Sequence, residues 1–420
     1  MTKRSTTTVA LAPDTAPTAP VPATTDRPDG VVLPSPISTS TLVGAMTAGI
    51  DIGDRTCEDC VLDAAGEVFE RKTFATTPGT LKNRYRRLWK KGVRRVAFEI
   101  GSHSPWMSEL LIELGFEVYV ANAHKVQLIS KSKKKTDRGD ALLLARLARA
   151  DPSLLSPIQH RGPQARKDLA QLRVRNGLVS ARTKLINLVR GSVKPWGARV
   201  PKCSADCFHE RAREALPKEL AKTLASTLRM IGELTEAIAE HGKQIEALSA
   251  KSYPETQLLR QVKGVGPITA LTFVLTIERP DRIHKARNVA AYLGLVPAKS
   301  QTGGVGGRDP ELGITKAGDR MLRSLLVSAA QYILGPFGDD CDLRRYGQRI
   351  EAKGSKAAKK RAVVAVARKL SVLLLRLWQT GEVYDPMRNS DVGGDGDANG
   401  EGGAAPAEDA ATGTGKVVTS

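Results

Sequence analysis

The chain has 420 residues, 41% of them apolar, more than one hydrophobic core usually holds, so two or three folded units are expected. Its 64 Lys and Arg against 44 Asp and Glu give a formal charge of +20, which argues against a small neutral substrate and for a polyanion, nucleic acid first. No stretch reaches the roughly 18–20 apolar residues of a membrane span, the N-terminus lacks a signal-peptide layout, and five cysteines make no even framework, so a cytosolic, reducing setting is expected.

Residues 1–45 and 387–420 hold mostly small residues and Pro, too few large apolar side chains to offset the entropy of ordering, and both are expected to be disordered tails. Between them, alternation predicts strands at Thr47–Ile52, Cys57–Asp63 and Val68–Phe74, the last two joined by an Asp63–Gly66 turn. A helix over Pro78–Lys91, a strand at Val93–Ile100, a helix near Trp106–Leu114, a strand at Glu117–Val120 and a helix from Asn122 follow. This order, three strands and then alternating helices and strands, is that of an α/β ribonuclease-H-like, resolvase-like domain over residues 46–155.

Thr136–Arg149 has leucines and alanines at helical spacing and ends before Pro152. Long helical patterns over Gln164–Gly191 and Leu216–Ala250, separated by Pro195–Pro201, predict a helical coiled-coil arm over residues 160–252. A mainly helical region, 253–386, contains Gly264-Val265-Gly266-Pro267 between two apolar helices and a Gly-rich loop from Gly303 to Gly313. Cys57-x-x-Cys60 and Cys203-x-x-x-Cys207 with His209 have the look of zinc spacings, but the first pair sits in a strand and lacks a matching second pair, so small-residue packing is the expected role.

Four acids stand out. Asp51 lies in the first strand and Glu99 ends the fourth, strands that neighbour each other in a ribonuclease-H-like sheet, while Asp137 and Asp140 share one face at a helix start. Carboxylates so gathered repel unless a hard cation, Mg²⁺ or Mn²⁺, lies among them, and two such ions suit phosphodiester chemistry. Taken singly, Asp51 reads first as a turn residue, and Asp137 and Asp140 as favourable acids at a helix N-terminus; their combination at the positions where such a sheet gathers them is what points to a metal site.

Lys82–Arg95 holds eight basic residues, among them Arg84, Arg86, Arg87, Lys90 and Lys91, with Tyr85 and Trp89 between them. Lys133, Lys134, Lys135 and Arg138 extend the charge beside the aspartates. Such density next to an acidic site favours phosphate contacts over a merely solvated face. Gly264 and Gly266 make either a helix-hairpin-helix turn that holds a phosphate by its amides or an ordinary turn between helices. A further run, Lys353 to Arg361, either binds nucleic acid or keeps an amphipathic helix soluble.

GIDIGD, AFEIGSHS, KKTDRGDA, VKGVGPITA, AAYLGLVP and GITKAGDRMLRSLL, in that order across about residues 47 to 335, resemble the motifs of the DEDD-type insertion-sequence transposases, also called bridge-RNA-guided recombinases. The resemblance implies a C-terminal transposase domain, an arm that supports a dimer or tetramer, and a cytoplasmic, nucleoid-associated bacterial enzyme that cuts and rejoins DNA at sites chosen by a guide RNA. It also implies a serine nucleophile just before a glycine of the Gly-rich loop. This chain has Thr302 at that position and Ser300 two residues earlier. Position favours Thr302, while chemistry favours Ser300, whose hydroxyl no methyl crowds. The alternatives are a Holliday-junction resolvase using the same acids with water, which has no need of the loop, and a non-catalytic DNA-binding module, against which the intact acids count.

Overall fold

The computed structural model describes residues 45–123, 136–298, 313–355 and 357–389, in two units that divide between His160 and Arg161. Residues 1–44 and 390–420 of the two expected tails, all but the first residues of the helix expected from Asn122, Lys133–Lys135, and Ser300 and Thr302 lie outside the described residues.

In the first unit β1 (Met46–Ile52), β2 (Thr56–Leu62) and β3 (Val68–Ala75) form antiparallel neighbours. The turn before β3 forms because Gly66 adopts φ +93° and the Asp63 carboxylate accepts the Glu67 amide at 2.9 Å. The helix α1 (Pro78–Lys90) starts at Thr77, whose hydroxyl accepts the Thr80 amide at 3.3 Å. It leads to β4 (Val93–Glu99), then α2 (Ser104–Glu113), β5 (Glu117–Ala121) and α3 (Asp137–Ala150). The sheet order is β3-β2-β1-β4-β5, with β1, β4 and β5 parallel. This is a mixed α/β sheet, as the element order predicted.

The sheet is covered on both faces. Ile50, Val61, Val96 and Phe98 pack with Leu81, Tyr85 and Leu88 of α1 and Met107 and Leu111 of α2. On the opposite face Ala97, Ala121, Cys60 and Leu62 meet α3 through Ala141, Leu144, Ala145 and Ala148. The helix comes unusually close to β1: a Cβ on Gly49 would stand 2.1 Å from the Ala141 carbonyl oxygen and 2.5 Å from the Ala145 nitrogen. Small residues on both sides make that approach possible.

The second unit is helical. Its first long helix, α4 (Pro163–Ser192), is followed by α5 (Phe208–Ala215) and α6 (Lys218–Ser252). Between α4 and α6 one apolar cluster joins Leu169 and Leu172 to Ile245, and another joins Ile186 and Val189 to Leu228 and Ile231, so the two run antiparallel. Between the clusters Arg182 donates to Asp206 at 2.7 Å and Thr235 at 3.1 Å. The short α5, not anticipated from the sequence, adds Phe208 and Ala212 to the second cluster. The helices α7 (Glu255–Arg260), α8 (Pro267–Ile277), α9 (Val289–Tyr292), α10 (Arg320–Leu334), α11 (Asp342–Glu351) and α12 (Ala358–Thr380) enclose a core that includes Phe273, Leu293, Leu322 and Leu370. Leu271 and Leu275 of α8 also pack on Leu172 and Ile245, so the long hairpin shares a core with these helices. No helix among the described residues is long and apolar enough to cross a membrane.

The cysteine spacings resolve by face. Cys57 packs on the α1 side of β2 and Cys60 on the α3 side, so the two cannot chelate one ion. Burial pushes both thiols up, whereas a hydrogen bond with Ser204 holds the Cys207 thiol below its ordinary value. Iodoacetamide at neutral pH is therefore expected to label Cys207 first and to reach Cys57 and Cys60 only after denaturation, as peptide mass spectrometry will show. The seating of α3 gives a sharper test. A strand Gly→Ala change normally stabilises slightly, but Gly49→Ala should destabilise by about 2–3 kcal/mol in urea titration because α3 must back away.

Candidate active site

The parallel register of β1 and β4 pairs Gly49 with Ala97 and Ile50 with Phe98, so the next step along both strands sets Asp51 beside Glu99. Gly49 and Ala97 are covered by α3, and side chains alternate along a strand, so Asp51 and Glu99 leave the sheet on the α3 side. Both are half-buried.

The direction of α3 places the other two acids. Arg95, near the start of β4, donates to the Ala148 carbonyl at 2.9 Å, while Ala141 lies over Gly49 in the middle of β1. The helix thus runs against the strands, and its first turn points to the end of the sheet where Asp51 and Glu99 stand. Thr136 caps that turn by accepting the Gly139 amide at 3.2 Å. Asp137 is exposed and Asp140 half-buried. Acids there complement the positive end of the helix dipole, and the N-cap explains why the helix begins with them.

All four carboxylates therefore sit at one end of one face. They supply oxygen ligands only, the kind a hard divalent cation takes, and so fit such an ion in type. As placed, no group of three or more His, Cys, Asp or Glu among the described residues is close enough to hold an ion.

Two more polar side chains at this end escaped the sequence reading. Glu58 pairs directly with Asp51 across the antiparallel register and is largely buried. His103, just after β4, accepts the Trp106 indole N–H on Nδ1 at 3.1 Å and sets Nε2 3.4 Å from Asp54. The histidine was visible in AFEIGSHS; Glu58 had no local signal, because cross-strand register is not written in any one segment.

The basic run beginning at Lys82 divides. Arg84 corrects the expectation: it is buried, with Nε and Nη2 on Asp59 and Nη1 on Glu70, each at 2.7 Å. Burial pushes the Asp59 carboxyl up while Arg84 opposes that shift, and a group so committed is not free for phosphate. Tyr85 likewise belongs to the core. Arg86, Arg87 and Lys90 are exposed, and Lys91 bonds Glu70 at 3.0 Å and lies over the Phe69 ring. Because α1 covers the face opposite α3, this run does not adjoin the carboxylates as expected; Arg138, within the first turn of α3, does.

In the second unit Gly264 takes φ +91° between α7 and α8, where a Cβ would come 3.1 Å from the Ala329 carbonyl of α10, and Gly266 begins α8. Packing thus accounts for Gly264, and the exposed Gly266 leaves the start of α8 accessible. Around the Gly-rich loop, Ala298 donates to the Gly313 carbonyl at 2.9 Å and Thr315 to Val296 at 3.0 Å. Gly294 and Gly318, both at positive φ, permit the close approach of their segments: a Cβ on Gly294 would meet the Ala317 nitrogen at 2.3 Å, and one on Gly318 the Tyr292 carbonyl at 2.1 Å.

Residues 48–194 match a DEDD-type family of IS110 elements described as "Transposase", and residues 256–338 match the "Transposase IS116/IS110/IS902 family". The chain is similar to the transposase for insertion sequence element IS1111A of Coxiella burnetii, 27% identical over 351 residues, or 80% of this chain and 90% of the relative. It is 31% identical to a probable family 20 transposase of Pseudomonas aeruginosa over 252 residues, 58% of this chain and 72% of the relative. It is 26% identical to the transposase for insertion sequence element IS1328 of Yersinia enterocolitica, over 56% of this chain and 70% of that one. The first matched segment holds Asp51, Glu99, Asp137 and Asp140, and the second spans Gly264 through the Gly-rich loop. The chain belongs to the IS110 family of insertion-sequence transposases, enzymes that cut and rejoin DNA.

Proposed function

We propose that this transposase transfers DNA strands by attacking a phosphodiester with a protein hydroxyl at a divalent-cation site formed by Asp51, Glu99, Asp137 and Asp140. The observation that carries this reading is the parallel register of β1 and β4, which sets Asp51 and Glu99 at the same end of adjacent strands, with the first turn of α3 at that end. Bound Mg²⁺ or Mn²⁺ would offset the repulsion of the four carboxylates and stabilise charge on the phosphoryl oxygens.

The sheet and the capped helix hold these acids on rigid elements, which keeps the cost of arranging them low. The nucleophile is the hydroxyl of Thr302 by position or of Ser300 by chemistry. Its oxygen bonds to phosphorus, the bond from phosphorus to the leaving deoxyribose oxygen breaks, and the hydroxyl proton is taken up by solvent while the leaving oxygen gains one. Exposed Arg86, Arg87, Lys90 and Arg138 contact backbone phosphates, and the start of α8 at Gly266 offers amides to another.

Sequence choice is assigned to a guide (bridge) RNA, since contacts of this kind hold a duplex without reading bases. We read the first unit as ribonuclease-H-like and the α4–α6 hairpin as a coiled-coil arm that joins chains into a dimer or tetramer. Sequencing the nucleic acid that co-purifies with the protein should recover one discrete RNA; specific DNA footprinting without RNA would sink the guide.

For the chemistry, Asp51→Asn should lower strand transfer about 10²–10³-fold while DNA affinity is unchanged. Covalent protein–DNA adducts should vanish in one of Thr302→Ala and Ser300→Ala and persist in the other. Adducts absent from the wild-type chain, with cleavage intact, would favour water as nucleophile instead.

A further inference from the structure

Glu58 and Asp51 are direct cross-strand partners, so their side chains leave the same face of the sheet, the face that α3 covers. Like charges held opposite one another repel, and Glu58 is only 9% exposed, which leaves little water to stabilise its charge. Protein groups take that place. Thr73, its partner on β3, donates its hydroxyl to Oε2, and Arg138 Nε stands 3.6 Å from Oε1. Arg138 lies between Asp137 and Asp140 in the first turn of α3.

We propose that the Glu58–Arg138 pair tethers the first turn of α3 to the sheet and so sets where Asp137 and Asp140 stand relative to Asp51 and Glu99. Glu58 and Arg138 are then positioning residues. Both oxygens of Glu58 are engaged, one by a strand neighbour and one by the helix, so the carboxylate spans β2, β3 and α3 instead of serving as a ligand. The pair also offsets the negative charge facing Asp51. Deeper along α3 the small residues over Gly49 fix the helix against the strand; at its start the ion pair takes over that task.

The inference rests on reading the four acids as one active site, and its test separates the two claims. Glu58→Gln keeps the size of the side chain and an acceptor for Thr73, while Arg138→Gln changes an exposed guanidinium that the fold does not require. Hydrogen exchange of the full-length protein, followed by mass spectrometry, should be about tenfold faster over residues 137–142 in both variants, with the sheet peptides unchanged. The double variant should be no faster than the faster single one. Mn²⁺ binding followed by electron paramagnetic resonance should weaken about tenfold in both. Wild-type exchange at residues 137–142 in Glu58→Gln, or effects that simply add, overturn the tether. Wild-type Mn²⁺ affinity in Asp51→Asn overturns the active-site reading instead, and the exchange measurement still decides the tether.

Discussion

Everything at the carboxylate end of the first unit depends on how closely α3 lies on β1. A helix axis usually stays well clear of a sheet because side chains fill the gap; here Gly49 faces backbone atoms of Ala141 and Ala145 directly. The contact fixes two things at once. It brings the first turn of α3 down to the strand ends, and it sets the helix position along β1, since a slip by one residue would drive a β-carbon into the helix backbone. The interaction is steric rather than electrostatic, so it does not weaken with salt or pH, and it allows four like charges to be gathered without relying on attraction between them.

The charges of the chain serve different ends on the two faces of the same sheet. On the α1 face, Asp59 is fully buried and Arg84 nearly so, which is tolerable because the guanidinium forks onto both carboxylate oxygens of Asp59 and donates through Nη1 to Glu70. On the α3 face the acids stay half-buried or exposed, and the cation among them, Arg138, is mostly in water. A self-satisfied network makes a rigid wall, whereas acids gathered near water are the kind of group a hard cation takes as ligands. The formal charge of +20 favours a polyanionic partner such as DNA.

What could be read from the sequence follows from what is local. Strand alternation, the Asp63–Gly66 turn and the helical spacing after Thr136 are all local signals, and those elements appear where they were expected. Asp51 and Glu99 come together because a strand order, once assumed, fixes which strand ends adjoin. Burial of single charges was not legible: Arg84 reads like Arg86 and Arg87 in the run, and only the helical phase of α1 against Asp59, far back in β2, separates it from them. Glu58 was hidden for the same reason, its significance residing in partners on β1, β3 and α3. The short α5 was missed because Pro201 and two cysteines obscure its start, and its stability comes from Phe208 and Ala212 packing on α4 and α6 rather than from propensity.

In the second unit the same logic of close approach governs the ends of the Gly-rich loop. Gly294 and Gly318 let the GLVP and GITKAGD segments press against each other, Arg323 bonds the Leu293 and Ala317 carbonyls at 3.0 and 2.7 Å, and Ala298 reaches Gly313. These contacts between its flanks thus offset part of the entropy of closing the loop.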